Sequence, residues 1–108
     1  MPKFESLLYD NLHDPFFSNE SAALQLGIST RSLYRKVREA SGLSPNHYLR
    51  KLRLDRAEEL LRSGQYTTVK EVALRVGYLK VSYFSDQYEA QKGVRPSTYF
   101  KTQKEELD

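Results

Sequence analysis

Cysteine and tryptophan are both absent from this 108-residue chain, and histidine occurs only twice, at His13 and His47. Without a thiol there is no disulfide framework and no thiolate metal site, and two isolated imidazoles do not make a zinc centre. No cofactor is expected. No apolar run approaches the roughly 18 residues of a membrane span, and the opening stretch lacks the charged and apolar regions of a signal peptide. A cytoplasmic protein without membrane contact is the expectation. Catalysis also lacks its materials: His13 and His47 fall in different predicted helices without a partner set, and Asp86 with Glu89 is an acidic i,i+3 pair with no second group beside it. The chain is not expected to be an enzyme.

Charge of one sign is scarce overall, with a net charge of only +3, yet its distribution is uneven. Residues 1 to 28 hold one basic and four acidic residues, residues 29 to 63 hold nine and four, and residues 64 to 108 hold seven and six. The central stretch, at +5, carries Arg31, Arg35, Lys36, Arg38, Arg50, Lys51, Arg53, Arg56 and Arg62. A concentrated basic band is the electrostatic footprint of a phosphate partner. The competing reading is a solvated helix face whose cations pair with acids one turn away.

The chain repeats itself. Ala23, Leu24 and Gly27 recur 50 positions later as Ala73, Leu74 and Gly77, while Gly42, Pro45 and Tyr48 recur 51 positions later as Gly93, Pro96 and Tyr99. One residue is therefore inserted just after Gly77. Each unit is too short to bury a core alone, so both depend on the segment joining them. In that segment Ser44 is placed to cap a helix, Pro45 suits its first position, and Gly64 stops it. On a helical wheel Tyr48, Leu49 and Leu52 cluster near about 50°, whereas Leu54, Ala57 and Leu61 cluster near about 215°. The apolar face changes sides midway, which predicts one helix packing its first half on one unit and its second half on the other. About 18 residues at about 1.5 Å each span roughly 27 Å, comparable to the roughly 34 Å between successive major grooves on one face of duplex DNA.

The glycines all fall where apolar periodicity ends, and the reading is all-α with about seven helices: two helix-turn-helix units joined by a long linker helix, a homeodomain-like pair. The expected division is residues 1–43 for the first unit, 44–63 for the linker and 64–108 for the second, within one domain over 1–108. Residues 3–13 place Phe4, Leu7, Leu8 and Leu12 on one helix face, ended by Asp14-Pro15, with Phe16 and Phe17 following as core anchors. Ser18 or Asn19 caps a short helix over 20–27, whose Ala23-Gly27-Ile28 order gives the close crossing and turn of a helix-turn-helix. Its return at Ala73-Gly77-Tyr78 strengthens that reading. Residues 29–41 form the first candidate recognition helix, capped by Ser29, with Leu33, Val37 and Ala40 inward and Arg31, Arg35 and Arg38 on another stripe beside Tyr34. Such a stripe suits a major groove, because a guanidinium pairs bidentately with guanine O6 and N7. Residues 65–77 restart the pattern, with Thr67 or Thr68 as the helix cap and Val69, Val72, Ala73 and Val76 as the buried stripe, and residues 79–92 form the second reader. There Phe84 and Tyr88 match Leu33 and Val37, and Ser82, Ser85 and Asp86 match Arg31, Tyr34 and Arg35 and are expected outward. This second face is less basic, and Asp86 repels phosphate unless it accepts from a cytosine amino group. A last helix is expected over 96–106.

With both turns placed, the chain resembles the DNA-binding domain of the AraC/XylS family of bacterial transcription regulators over about residues 4–102. The motifs are Ala73, Gly77-Tyr78, Ser82-Tyr83-Phe84, Tyr88, Gly93-Val94, Pro96 and Tyr99, with Arg53, Leu54 and Ala57 in the linker. The resemblance implies sequence-specific binding of double-stranded DNA through two consecutive major grooves. Base-facing residues would be Arg31, Tyr34, Arg35 and Arg38 in the first unit, and Val81, Ser82, Ser85 and Asp86 in the second. Phosphate contacts would come from Ser29, Thr30, Lys36, Arg50, Arg53, Lys80 and Ser97, several of them at helix N-termini. RNA polymerase is a further partner it implies, with dimerisation left to a domain outside this segment. Members usually carry basic residues around Asp86 and Glu89, so the departure here implies a weaker grip by the second unit. The stretch from Leu33 to Leu61 is also similar to the output module of hybrid two-component regulators, in which the sensor lies upstream. The alternative is a helical protein-interaction module that keeps the fold and binds DNA weakly or without sequence preference.

Overall fold

The computed structural model describes residues 2–100, with the backbone alone for Pro2. Among them are six complete helices and no strand. They are α1 (Pro2–Asn11), α2 (Asn19–Leu26), α3 (Thr30–Ser41), α4 (Pro45–Ser63), α5 (Val69–Arg75) and α6 (Val81–Lys92). Helical backbone resumes at residues 98–100, the start of the expected last helix, whose remainder lies outside the described residues.

Side-chain caps fix most of the helix starts. The hydroxyls of Ser18, Ser29, Ser44 and Thr68 accept from the backbone N–H three residues on, at Ser21, Ser32, His47 and Glu71, satisfying donors the first turn leaves without a helical partner. Thr68 and Glu71 form a capping box variant, with Thr68 Oγ1 and Thr67 Oγ1 both donating to Glu71 Oε1. Of the two expected caps it is Thr68 that serves, and α5 begins at Val69. Helix α1 ends at Asn11, so His13 lies in a turn and not in a helix as expected. The chain there is held by Asp14, whose Oδ1 accepts from Phe16 N at 2.9 Å.

The two turns superimpose chemically as well as in sequence. Gly27 N donates to Leu24 O at 3.1 Å and Ile28 N to Ala23 O at 3.0 Å; Gly77 N donates to Leu74 O at 3.2 Å and Tyr78 N to Ala73 O at 2.9 Å. Both glycines take the left-handed backbone conformation that closes such a turn, with φ of 71° and 85°.

Helix α4 divides its two faces as its sequence implies. Leu49 and Leu52 enter a first core with Phe4, Leu8, Leu12, Phe17, Ala22, Ala23, Leu33 and Val37, while Tyr48 packs against its edge. Leu54, Ala57, Leu60 and Leu61 enter a second core with Val72, Ala73, Val76, Tyr78, Phe84 and Tyr88. The molecule is accordingly elongated, 54 × 23 × 22 Å. Aromatic pairs fasten the outer helices. Phe4 stacks on Tyr48 at 5.8 Å, and the Tyr48 hydroxyl donates to Glu5 Oε1 at 2.8 Å. Burial together with that carboxylate pushes the Tyr48 pKa up to about 12. At the far end the Tyr88 and Tyr99 hydroxyls are 2.9 Å apart, and Arg62 lies over the Tyr99 ring.

Two expectations about the core are corrected. Phe16 is 79% exposed, because the turn at Asp14 spends its one inward position on Phe17. Ala40 is exposed as well, since the inward stripe of α3 ends with Val37.

Candidate nucleic-acid interface

Helix α3 sorts its side chains cleanly. Leu33 and Val37 are buried, which turns Arg31, Arg35, Lys36 and Arg38 outward, with Tyr34 half-exposed among them. Arg31, Arg35 and Arg38 follow one another at i,i+4 and i,i+3, so they share a face. None of them, nor Lys36, makes an ion pair or side-chain hydrogen bond among the described residues. Like charges one turn apart destabilise a helix by about 0.2–0.5 kcal/mol per pair. Four unneutralised cations on one helix are therefore a cost unless an anion meets them.

The cations of the linker behave differently. Lys51 pairs with Asp55 at 2.8 Å, Arg56 with Glu59 at 2.7 Å and Arg62 with Glu58 at 3.2 Å, all one turn apart. Lys92, at the end of α6, reaches Asp55 at 2.5 Å and Glu58 at 3.3 Å. For Asp55 burial works to raise the pKa, but the hydrogen bonds from Lys51 and Lys92 prevail and hold it below the ordinary carboxylate value. The basic band thus separates into two populations. Lys51, Arg56 and Arg62 are a self-neutralised helix face, and the cations of the band with no hydrogen-bond or ion-pair partner among the described residues lie on α3, with Arg50 on α4.

On α6 the burial of Phe84 and Tyr88 leaves Ser82 and Asp86 exposed and Val81 half-buried. Ser85 does not face outward as expected. It is only 8% exposed, since about 100° round the helix from Phe84 it flanks the buried stripe of Phe84 and Tyr88, and it is withdrawn from the base-facing set. Asp86 and Glu89 carry a counterion that the sequence did not announce: Arg95 Nη1 lies 3.4 Å from Asp86 Oδ1 and 3.3 Å from Glu89 Oε2. Tyr83, 51% exposed in the first turn of α6, also belongs to this face and was missed. Its wheel position, about 100° from Phe84, is the signal that could have found it.

Among the expected phosphate contacts Ser29, Thr30, Lys36 and Lys80 are exposed, and Arg50 and Ser97 half-buried. Arg53 is different. Its Nη2 donates to the Asp14 carbonyl at 2.9 Å and its Nε is buried, so the partly buried guanidinium spends these groups on the protein and has less to offer a phosphate than an exposed arginine. Burial lowers its pKa despite Tyr78 and Asp14 nearby. No helix of the described residues is long and apolar enough to cross a membrane, and they hold no cluster of His, Cys, Asp and Glu suited to a metal.

Two helix-turn-helix units on a shared helix, the first carrying an unpaired arginine face, define a DNA-binding module of transcription regulators. Comparison with known proteins places it further. A helix-turn-helix domain family model matches residues 22–102. The transcriptional activator RhaR of Pectobacterium atrosepticum is 41% identical over 83 residues, which are 77% of this chain and 29% of that protein. The C-terminal domain of AraT, a response regulator from Geobacillus stearothermophilus, superimposes with a TM-score of 0.83 at 31% identity, covering 94% of this chain and 86% of that one. The DNA-binding domain of the global transcriptional factor AdpA, solved with a target DNA, gives a TM-score of 0.83 at 27% identity, covering 94% and 89%. The chain belongs to the AraC/XylS family of helix-turn-helix DNA-binding domains. It spans less than a third of the length of the RhaR activator it matches.

Proposed function

We propose that α3 and α6 enter consecutive major grooves of one duplex and read a two-block sequence. The observation that carries this reading is the contrast between the unpaired cations of α3 and the internally paired cations of α4. Arg31, Tyr34, Arg35 and Arg38 read bases in the first block; Val81, Ser82 and Asp86 read them in the second, Asp86 accepting from a cytosine amino group. Ser29, Thr30, Lys36, Arg50, Lys80 and Ser97 hold the flanking phosphates. Residues 1–43, 44–63 and 64–108 are the first reader, the spacer and the second reader of one domain.

In the cell this module is the output end of a cytoplasmic transcription regulator. The likeness to the response regulator AraT supports a place in two-component signalling, with the sensing and dimerising parts outside this segment and RNA polymerase as the downstream partner. Fluorescence anisotropy against salt tests the core of the proposal. A reader gives a steep inverse salt dependence together with at least about a thousandfold preference for its site over random duplex. The acidic α6 favours one alternative, a helical protein-interaction module, which gives the salt slope with no preference.

A further inference from the structure

Arg53 occupies the point on α4 where the apolar face changes sides, between Leu52 of the first core and Leu54 of the second. Its guanidinium touches both units. Nη2 donates to the Asp14 carbonyl, which also accepts from Phe17 N at 3.3 Å, so the arginine grips the loop joining α1 to α2. On its other side lies the turn of the second unit. A Cβ on Gly77 would stand 3.1 Å from Arg53 Cζ, 3.2 Å from Arg53 Nε and 2.5 Å from the Leu12 carbonyl, so only a glycine lets that turn seat against the first unit. The main helix packing runs within each unit: α1 packs on α2 and α4, α2 on α3, and α3 on α4, whereas α5 and α6 pack on each other and on α4.

Stability alone does not account for this arginine. Its Nε is buried without a hydrogen-bond partner, an arrangement that a well-packed apolar side chain of similar volume would avoid. What the fork supplies is a directional tie between two bodies that otherwise meet through the helix each packs on and the close approach of the Leu12 carbonyl to the Gly77 turn.

We propose that Arg53 is a positioning residue that, by joining the Asp14 carbonyl to the Gly77 turn, fixes the angle between α3 and α6. It thereby sets the spacing and helical phase of the two sequence blocks the chain accepts. The spacing half of this inference rests on the two-groove reading above; the angular half does not.

The chain has no cysteine, so a Glu39→Cys, Ala90→Cys pair, on exposed and equivalent positions of α3 and α6, labels the two readers alone. Spin-label distances in the free protein are expected to be narrow in this parent and broad after Arg53→Met or Gly77→Ala. Arg53→Lys keeps the charge but not the planar fork, is expected to broaden them too, and carries the test by itself if Arg53→Met loses its helical circular dichroism. On DNA, Arg53→Lys should lose roughly tenfold or more on the two-block site while changing by less than about twofold on the first block alone. The penalty for inserting one base pair between the blocks should shrink. Unchanged label distances overturn the proposal, and so does an equal loss on every duplex. A parent chain that gains nothing from the second block overturns the two-groove reading and the spacing half with it, and the label distances then decide the angular half.

Discussion

Arg95 Nη1 lies within 3.4 Å of Asp86 Oδ1, so the carboxylate expected to meet a base on α6 is held by a cation from beyond the end of that helix. The same guanidinium reaches Glu89. Removing it leaves two carboxylates unscreened on a face that approaches phosphate. Arg95→Ala should therefore weaken binding to all duplexes, and Asp86→Asn should recover part of that loss. Asp86→Asn alone should relax preference at a single C·G pair by about 1–3 kcal/mol. Titration of the single and double variants against matched and mismatched duplexes checks all three.

On α3 the expected effects of neighbouring cations differ in kind. Arg35→Ala should cost about 1–3 kcal/mol on the specific site and relax preference at one base pair. Lys36→Ala should weaken specific and random duplexes alike and reduce the salt slope by about 0.9, the share of one released counterion. Equal losses on both kinds of duplex for Arg35→Ala would remove its assigned role.

Leu54 is the first linker side chain of the second core and is fully buried. Leu54→Ala should destabilise the chain by about 2–5 kcal/mol through lost burial and the cavity left behind. Thermal melts followed by circular dichroism read the cost. An unaltered melt would mean that α4 does not anchor the second unit as described.

Acid should loosen the junction of α4 with α6. Asp55 and Glu58 are both held below their ordinary carboxylate pKa values, Asp55 by Lys51 and Lys92 against burial, Glu58 first by Arg62. A folded-state pKa below the unfolded one gives stability that is complete well above about pH 4 and is lost as pH falls through the folded value. Urea midpoints should therefore fall from about pH 5 downward, and Asp55→Asn should flatten that acid limb. A midpoint independent of pH there, or an acid limb that Asp55→Asn leaves intact, contradicts the assignment.

The helices, their caps and the split face of α4 were legible in the sequence because each depends on local spacing. Ser44, Pro45 and Gly64 mark the linker without reference to anything distant, and the repeat doubles the turn signals at Ala23-Gly27 and Ala73-Gly77. What escaped was set by contacts far apart in the chain. Arg53 looks like one more member of a basic band until Asp14, 39 residues away, claims it. Arg95 was invisible as the partner of Asp86 and Glu89, since Lys92 is the nearer cation to Glu89 and is taken by Asp55 and Glu58. Aligning α6 on α3 through the 51-residue repeat puts Ser85 outward. Tyr34 is 48% exposed on α3, whereas its counterpart Ser85 on α6 is buried, so the two readers do not present identical arcs.

Selection of this chain's targets from a pool of random-sequence duplexes tests the central claim most directly. Two enriched blocks whose centres are about 10 base pairs apart, with guanine prominent in the stronger block, are the predicted result. A single enriched block, or enrichment without any shared sequence, would contradict the claim that both helices read one duplex.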